Sequence, residues 1–212
     1  MQQEHDKYID PLKLIKSAGF TSAIIAGGAF RDLYHGIEPK DVDIFVWDPI
    51  SSDESPAFPI AEKYVVNNYN NCVHAWTNIL QLGDEDTVTL IFGSYYSPYH
   101  KNTAVWDIWK NGLNIQVIFT KIPPIEHMHL NFDIGLCKCY HDGQNIHYTD
   151  DFLTDANNKT LTIVAQDMTE CEYSTTTTVH IPALQKKYPY PIKYNHSMLV
   201  TETVAIPFPT PI

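Results

Sequence analysis

Asp41 and Asp43 stand two apart in the alternating run Asp41–Trp47, DVDIFVW. Side chains two apart on a β-strand point to one face, with Cα atoms about 6.5–7 Å apart. Carboxylates so placed can share divalent cations about 3.5–4 Å apart, one polarising a phosphoryl group and its leaving oxygen, the other lowering the pKa of an attacking hydroxyl. Two like charges side by side are unfavourable unless a cation or solvent relieves them. The bland alternative is a solvated strand edge that carries two acids.

Upstream, Gly27-Gly28 ends the short apolar run Ser22–Ala26 just before a helical stretch. Glycines there let backbone N–H groups approach a phosphate with no Cβ in the way, beside a helix N-terminus. Any strand-to-helix turn can use glycine, so this turn alone is weak evidence. Arg31 is the only arginine among 14 basic residues, and its place in this segment invites a specific role rather than a surface ion pair. Lys40 fits a phosphate contact or a surface ion pair equally. Asp32 reads as an organiser that pairs with Arg31 or Lys40 and holds the helix against the second strand.

The elements around these residues follow from periodicity and punctuation. An opening helix is capped by Asp10, has Pro11 at its first position and ends at Gly19. Ser22–Ala26 is a strand, Ala29–His35 a helix stopped by Gly36, and Asp41–Trp47 a second strand. Asp48–Pro59 reads as a loop and Ile60–Tyr69 as a helix weakened by the Asn67–Asn71 cluster. Strands Thr87–Phe92, Ala104–Trp109 and Leu113–Thr120 follow, the last two joined by a tight Lys110-Asn111-Gly112 turn. Pro123-Pro124 breaks the chain, Phe132–Tyr140 reads as a strand, and Asp142-Gly143 turns it into a partner, Gln144–Tyr148. Asp150–Asn157 is a short helix, Leu161–Ala165 a strand and Ala183–Tyr188 a short helix. The Pro-rich last ten residues lie extended over the surface or flop.

Taken together, strand, Gly27-Gly28, Arg31-Asp32, short helix, Gly36, Pro39-Lys40-Asp41 and Asp43 resemble the head of the DNA polymerase β-like nucleotidyltransferase superfamily. The likeness is strongest to the branch of tRNA CCA-adding enzymes and bacterial poly(A) polymerases, whose head reads approximately G-G-x-v-R-D-x-x-x-G-x-x-P-K-D-x-D. The resemblance implies that Asp41 and Asp43 bind the metal, that Gly27 and Gly28 face the phosphates, and that Arg31, with Lys40, serves the triphosphate side. It also implies Mg2+ or Mn2+ as cofactor and a nucleoside triphosphate as substrate.

Two departures qualify it. Polymerase β-like enzymes commonly add a third carboxylate from a later strand, whereas Leu113–Thr120 offers Gln116, with Asn114 on the same face. An amide oxygen can ligate a cation, but losing a formal charge weakens Mg2+ binding. Asp107 and Asp133 are the substitutes. The second departure is size: the resemblance covers only the head, and the helical neck, body and tail domains of those enzymes are not expected in these 212 residues. The stretch Phe132–Gly143, FDIGLCKCYHDG, is similar to the F-D, C-x-C, D-G stretch of compact nucleotidyltransferase-like proteins of large viruses and phages.

Composition bounds the partners. The 212 residues carry a formal charge of −11, the reverse of what an extended nucleic-acid surface needs. No apolar run is long enough for a membrane span, and the start lacks the apolar block of a signal peptide, so a cytoplasmic location, the host cytoplasm for a viral protein, is expected. Cys72, Cys137, Cys139 and Cys171 are too scattered for a disulfide framework. Cys137 and Cys139 would share a strand face near His127, His129 and His141, but their spacing is not a zinc-ribbon pattern. No Ser-His-Asp elbow, Walker loop or G-x-G-x-x-G occurs.

The expectation is an α/β (α+β) fold, a mixed sheet flanked by helices of the nucleotidyltransferase type. A core domain spans 1–160, and a β-rich, Pro-rich extension over 161–212 packs on it. The expected activity moves a nucleoside monophosphate from an NTP to an acceptor hydroxyl on a short RNA end, a protein or a small molecule, releasing pyrophosphate. Asp41, Asp43 and Gln116 are the candidate metal ligands. The competing expectation is a weak or inactive nucleotidyltransferase fold that binds a nucleotide or a host protein.

Overall fold

Seven strands form one mixed sheet in the order β3-β4-β5-β2-β1-β6-β7. They are β1 (Ile24–Ala26), β2 (Asp41–Trp47), β3 (Thr87–Gly93), β4 (Asn102–Lys110), β5 (Leu113–Thr120), β6 (Cys139–His141) and β7 (Ile146–Tyr148). Only β2 and β5 pair in parallel; the other neighbours are antiparallel. The computed structural model describes residues 2–47, 69–93, 102–120, 122–164 and 175–194. The expected loop 48–59 and the chain end lie outside the described residues.

The main core lies on one face of the sheet. There α1 (Gln2–Ser17) buries Tyr8, Leu12 and Ile15, and α3 (Tyr69–Leu80) buries Cys72, Trp76 and Leu80, both at helical spacing. They pack on Val42, Ile44, Val46, Trp106 and Ile115 from the strands, together with Phe30 of α2 (Gly28–Tyr34). On the other face a smaller cluster joins Ile24, Phe45 and Ile118 to Met128 of α4 (Pro124–Asn131). Asn111 and Gly112 take positive φ, 50° and 76°, which closes the β4–β5 hairpin with the expected turn.

Several boundaries differ from the sequence reading. α1 starts at Gln2, so Asp10 does not cap it and Pro11 sits buried inside it; the apolar stripe extends back to Tyr8 and outweighs the proline's missing N–H. Asn70 and Asn71 of the expected Asn67–Asn71 cluster stand in the first turn of α3 rather than ending a helix, in keeping with asparagine's liking for N-terminal positions; residues 60–68 of the expected helix lie outside the described ones. Pro123-Pro124 likewise starts a helix, with proline in its first turn. Phe132–Tyr140 is not one strand, because Gly135–Cys137 forms a 3-10 turn before β6.

That turn is built around Asp155 of α5 (Asp150–Asn158), which has no exposed surface. Its carboxylate accepts from Leu136 N (2.9 Å), Thr160 Oγ1 (2.7 Å) and both the amide and hydroxyl of Thr162 (2.9 and 2.5 Å). Beyond α5, the described chain has β8 (Leu161–Ile163) paired in parallel with β9 (Ile192–Tyr194), and between them a π-helical turn, Thr176–His180, running into α6 (Ile181–Gln185). The Thr175–Thr178 run is therefore helical.

A Cβ on Gly135 would lie 2.7 Å from Asp155 Oδ2, closer than real contacts allow, and a tight 3.2 Å from the Asp151 carbonyl. Gly135→Ala should therefore lower stability by about 1–3 kcal/mol, the usual range for an overpacked site, read as an earlier urea midpoint at unchanged slope.

Candidate active site

The register of β2 places the acid pair. With Val42, Ile44 and Val46 in the main core, Asp41 and Asp43 share the opposite face with Phe45. Asp41 is exposed and Asp43 half-buried; opposite them on β5 stand Asn114 and Gln116. Burial, then the neighbouring Asp41 charge, push the Asp43 carboxyl up to about 7 against the pull of Arg31. A proton and a divalent cation thus compete for Asp43, and a cation would relieve the like-charge pair.

Arg31 is 8% exposed. Its guanidinium meets Asp32 Oδ1 through Nε (2.9 Å) and Nη2 (2.8 Å), and Nη1 donates to Cys137 Sγ at 3.2 Å. Burial works against its charge, but Cys137, Asp32 and Tyr188 outweigh burial and raise its pKa. Asp32, 2% exposed, also accepts from Lys187 Nζ (2.5 Å) and Tyr188 Oη (2.7 Å). Burial raises its pKa and Arg31, Lys187 and Tyr188 lower it, with a downward net shift. Asp32 does organise, but its second cation is Lys187, 155 residues away, and not Lys40.

Gly28 lies between the two charged groups. A Cβ there would stand 3.4 Å from Arg31 Nη2 and 3.8 Å from Asp41 Oδ1. Gly27, at φ +84°, turns the chain from β1 into α2, and its N–H donates to the Cys139 carbonyl at 3.1 Å. Gly27, Gly28, Arg31, Asp41 and Asp43 all line one cavity of about 600 Å3. Later segments complete it, with Phe132, Asp133, Thr176, His180 and Lys187 among the lining residues.

Other expected residues fall outside it. Lys40 is exposed and does not line the cavity. Gln116 does not either; its amide nitrogen points to Asp107 Oδ1 at 3.5 Å. Asp107 accepts from Asn114 Nδ2 (2.8 Å) and Trp109 Nε1 (3.2 Å), which makes it part of a polar row across β4 and β5. Asp133 lines the cavity, but Thr176 and His180 hold its carboxylate. Cys137 and Cys139 do not share a strand face: one meets Arg31, the other donates to the Gly27 carbonyl at 3.6 Å. Among the described residues no group of three or more His, Cys, Asp or Glu side chains could hold a metal ion. A two-carboxylate set still fits Mg2+, which is commonly held by one or two carboxylates with the substrate's phosphates.

Residues 2–159 match the model of Gad2, the Gabija anti-defense 2 family. The chain belongs to this family. No curated protein matches this Gad2 chain. Among solved structures it is similar to the Bacillus stearothermophilus CCA-adding enzyme in complex with CTP, at 14% identity and TM-score 0.55 over 91% of this chain and 41% of that one. It is also similar to the Thermotoga maritima CCA-adding enzyme complexed with tRNA, at 13% identity and TM-score 0.53 over 88% and 40%. A tRNA-processing enzyme in its apo form gives 13% and 0.53 over 93% and 45%. The Gad2 chain thus has the nucleotidyltransferase head fold and spans less than half the length of these enzymes. No helix among its described residues is long and apolar enough to cross a membrane.

The depressed pKa of Asp32 has a definite sign. Its folded value lies below the unfolded one, so its contribution is complete above the ordinary carboxylate range and is lost as pH falls through the folded value. Asp32→Asn should cost about 3–5 kcal/mol near neutral pH, as loss of a buried pair's partner does. Denaturant titrations should show the gap to wild type closing below about pH 4.

Proposed function

We propose that this Gad2 chain is a metal-dependent nucleotidyltransferase that acts against the Gabija defence, moving a nucleoside monophosphate from an NTP to an acceptor hydroxyl. The observation that carries this reading is that Gly27, Gly28, Arg31, Asp41 and Asp43 line a single cavity. Asp41 and Asp43 would hold Mg2+ or Mn2+, which when bound polarises the α-phosphate and acidifies the attacking hydroxyl. Gly28 leaves room for phosphate oxygens beside its backbone. Arg31, pinned by Asp32 and Cys137, presents a fixed positive charge, which stabilises developing negative charge without reorganisation. The net charge of −11 disfavours long RNA as acceptor, and the family supports a hydroxyl on a Gabija component.

A second reading has its own support. With no third carboxylate gathered at the acid pair among the described residues, the cavity could bind a nucleotide without transferring it. The two readings separate when purified protein is mixed with each α-labelled NTP, Mn2+ and the Gabija proteins. Under the first, label enters an acceptor and pyrophosphate appears. Asp43→Ala should cut both by at least about 10²-fold, on the scale of losing one charge-stabilising contact. Gly28→Ala should keep the fold and weaken NTP binding by about tenfold or more. Binding without any transfer favours the second reading, and no metal-dependent nucleotide affinity sinks both.

A further inference from the structure

We propose that His180 is the base that takes the acceptor hydroxyl's proton, with Asp133 as its positioning residue; this rests on the transfer reading above. His180 Nδ1 lies 2.6 Å from Asp133 Oδ2, and Thr176 Oγ1 donates to the same oxygen at 2.6 Å. An ionised carboxylate only accepts, so the ring proton sits on Nδ1 and Nε2 keeps its lone pair in the neutral imidazole. The carboxylate is the more sheltered of the two, 18% exposed against 52% for the ring, so a half-buried acid orients a ring that reaches out. Asp133 is itself fixed: its carbonyl accepts from Val164 N at 2.8 Å, and Ile134 bridges to Ile163 of β8. Both residues line the cavity that holds Asp41 and Asp43.

Among the described residues the cavity offers no better candidate. Asp41 and Asp43 are assigned to the cation, and Asp32 is saturated by Arg31, Lys187 and Tyr188. Burial raises the Cys137 thiol and keeps it neutral. Asp107, bound to Asn114 and Trp109, does not line the cavity. In the step, the hydroxyl oxygen attacks the α-phosphorus as its proton passes to His180 Nε2. The bond from the α-phosphorus to the bridging oxygen breaks, and pyrophosphate leaves with the electron pair. Asp133 balances the imidazolium, which then returns its proton to solvent.

The test uses the full chain. Long-range 1H–15N NMR should find neutral His180 as the Nδ1–H tautomer in wild type, shifted toward Nε2–H in Asp133→Ala. With α-labelled NTP, Mn2+ and the Gabija proteins, His180→Ala should lose about 10²-fold or more of transfer, the scale of a lost general base. Its Mn2+–NTP binding by calorimetry should persist, and added imidazole should restore part of the rate. An Nε2–H tautomer in wild type overturns the dyad whatever the activity. Full transfer by His180→Ala, with Asp43→Ala dead, overturns the dyad and leaves the transfer reading standing. Loss without imidazole rescue, accompanied by lower thermal stability, makes the pair a structural latch and also overturns it. No transfer by wild type removes the transfer reading and the dyad with it.

Discussion

β2 can be inserted between β1 and β5 with only one of its two faces toward the main core, and the site follows from that constraint. Val42, Ile44 and Val46 each have no exposed surface. A slip of one residue would turn all three outward and drive Asp41, Asp43 and Phe45 into the main core. Burying two carboxylates side by side without partners costs several kcal/mol each, so no such alternative competes. The aliphatic half of DVDIFVW therefore positions the acidic half. Asp43 still bears the cost of its burial and, after that, of the Asp41 charge, which push its carboxyl up to about 7.

The second dependence is long-range. The family match ends at residue 159, yet Thr176, His180 and Lys187 complete the cavity. Two polar attachments bring them there: Lys187 and Tyr188 on Asp32, and Thr176 and His180 on Asp133. Ile181, Leu184 and Tyr188 anchor the same segment in the main core. The buried Arg31–Asp32 pair is tolerable because every partner is hydrogen-bonded, the condition under which buried charge ceases to be a liability. A consequence is that the posture of Arg31 depends on Asp32, and hence on the docking of a segment far along the chain.

Local signals were readable in advance where one element settles them. The Asp41–Trp47 strand, the Gly27-Gly28 turn, the helix stopped at Gly36 and the Asn111-Gly112 hairpin each depend on neighbours a few residues away, and the structure has all four. α3 was missed because asparagines suit a helix start as well as an end. The strand expected over Phe132–Tyr140 failed because Asp155, not local propensity, shapes Gly135–Cys137. From sequence Asp133 reads as a substitute metal ligand, but its partners lie more than 40 residues away, and nothing in their spacing announces the contact. Tyr188 and Lys187 were invisible for the same reason.

The charges around the cavity bear on how a nucleotide could enter it. Arg31 and Lys187 are its lysine and arginine lining residues, against Asp41, Asp43 and Asp133. Both cations already face Asp32, whose single carboxylate offsets part of their attraction for a polyanion. A free triphosphate would therefore meet a surface whose carboxylates outnumber its cations, in a recess where water screens poorly. On the proposed reading, a divalent ion on Asp41 and Asp43 would reverse that balance at the point where phosphates would approach Gly28. On that reading, cation and nucleotide enter as one unit. The scarcity of basic residues then ceases to be a puzzle, because the positive charge a polymerase-like site needs is carried in with the substrate.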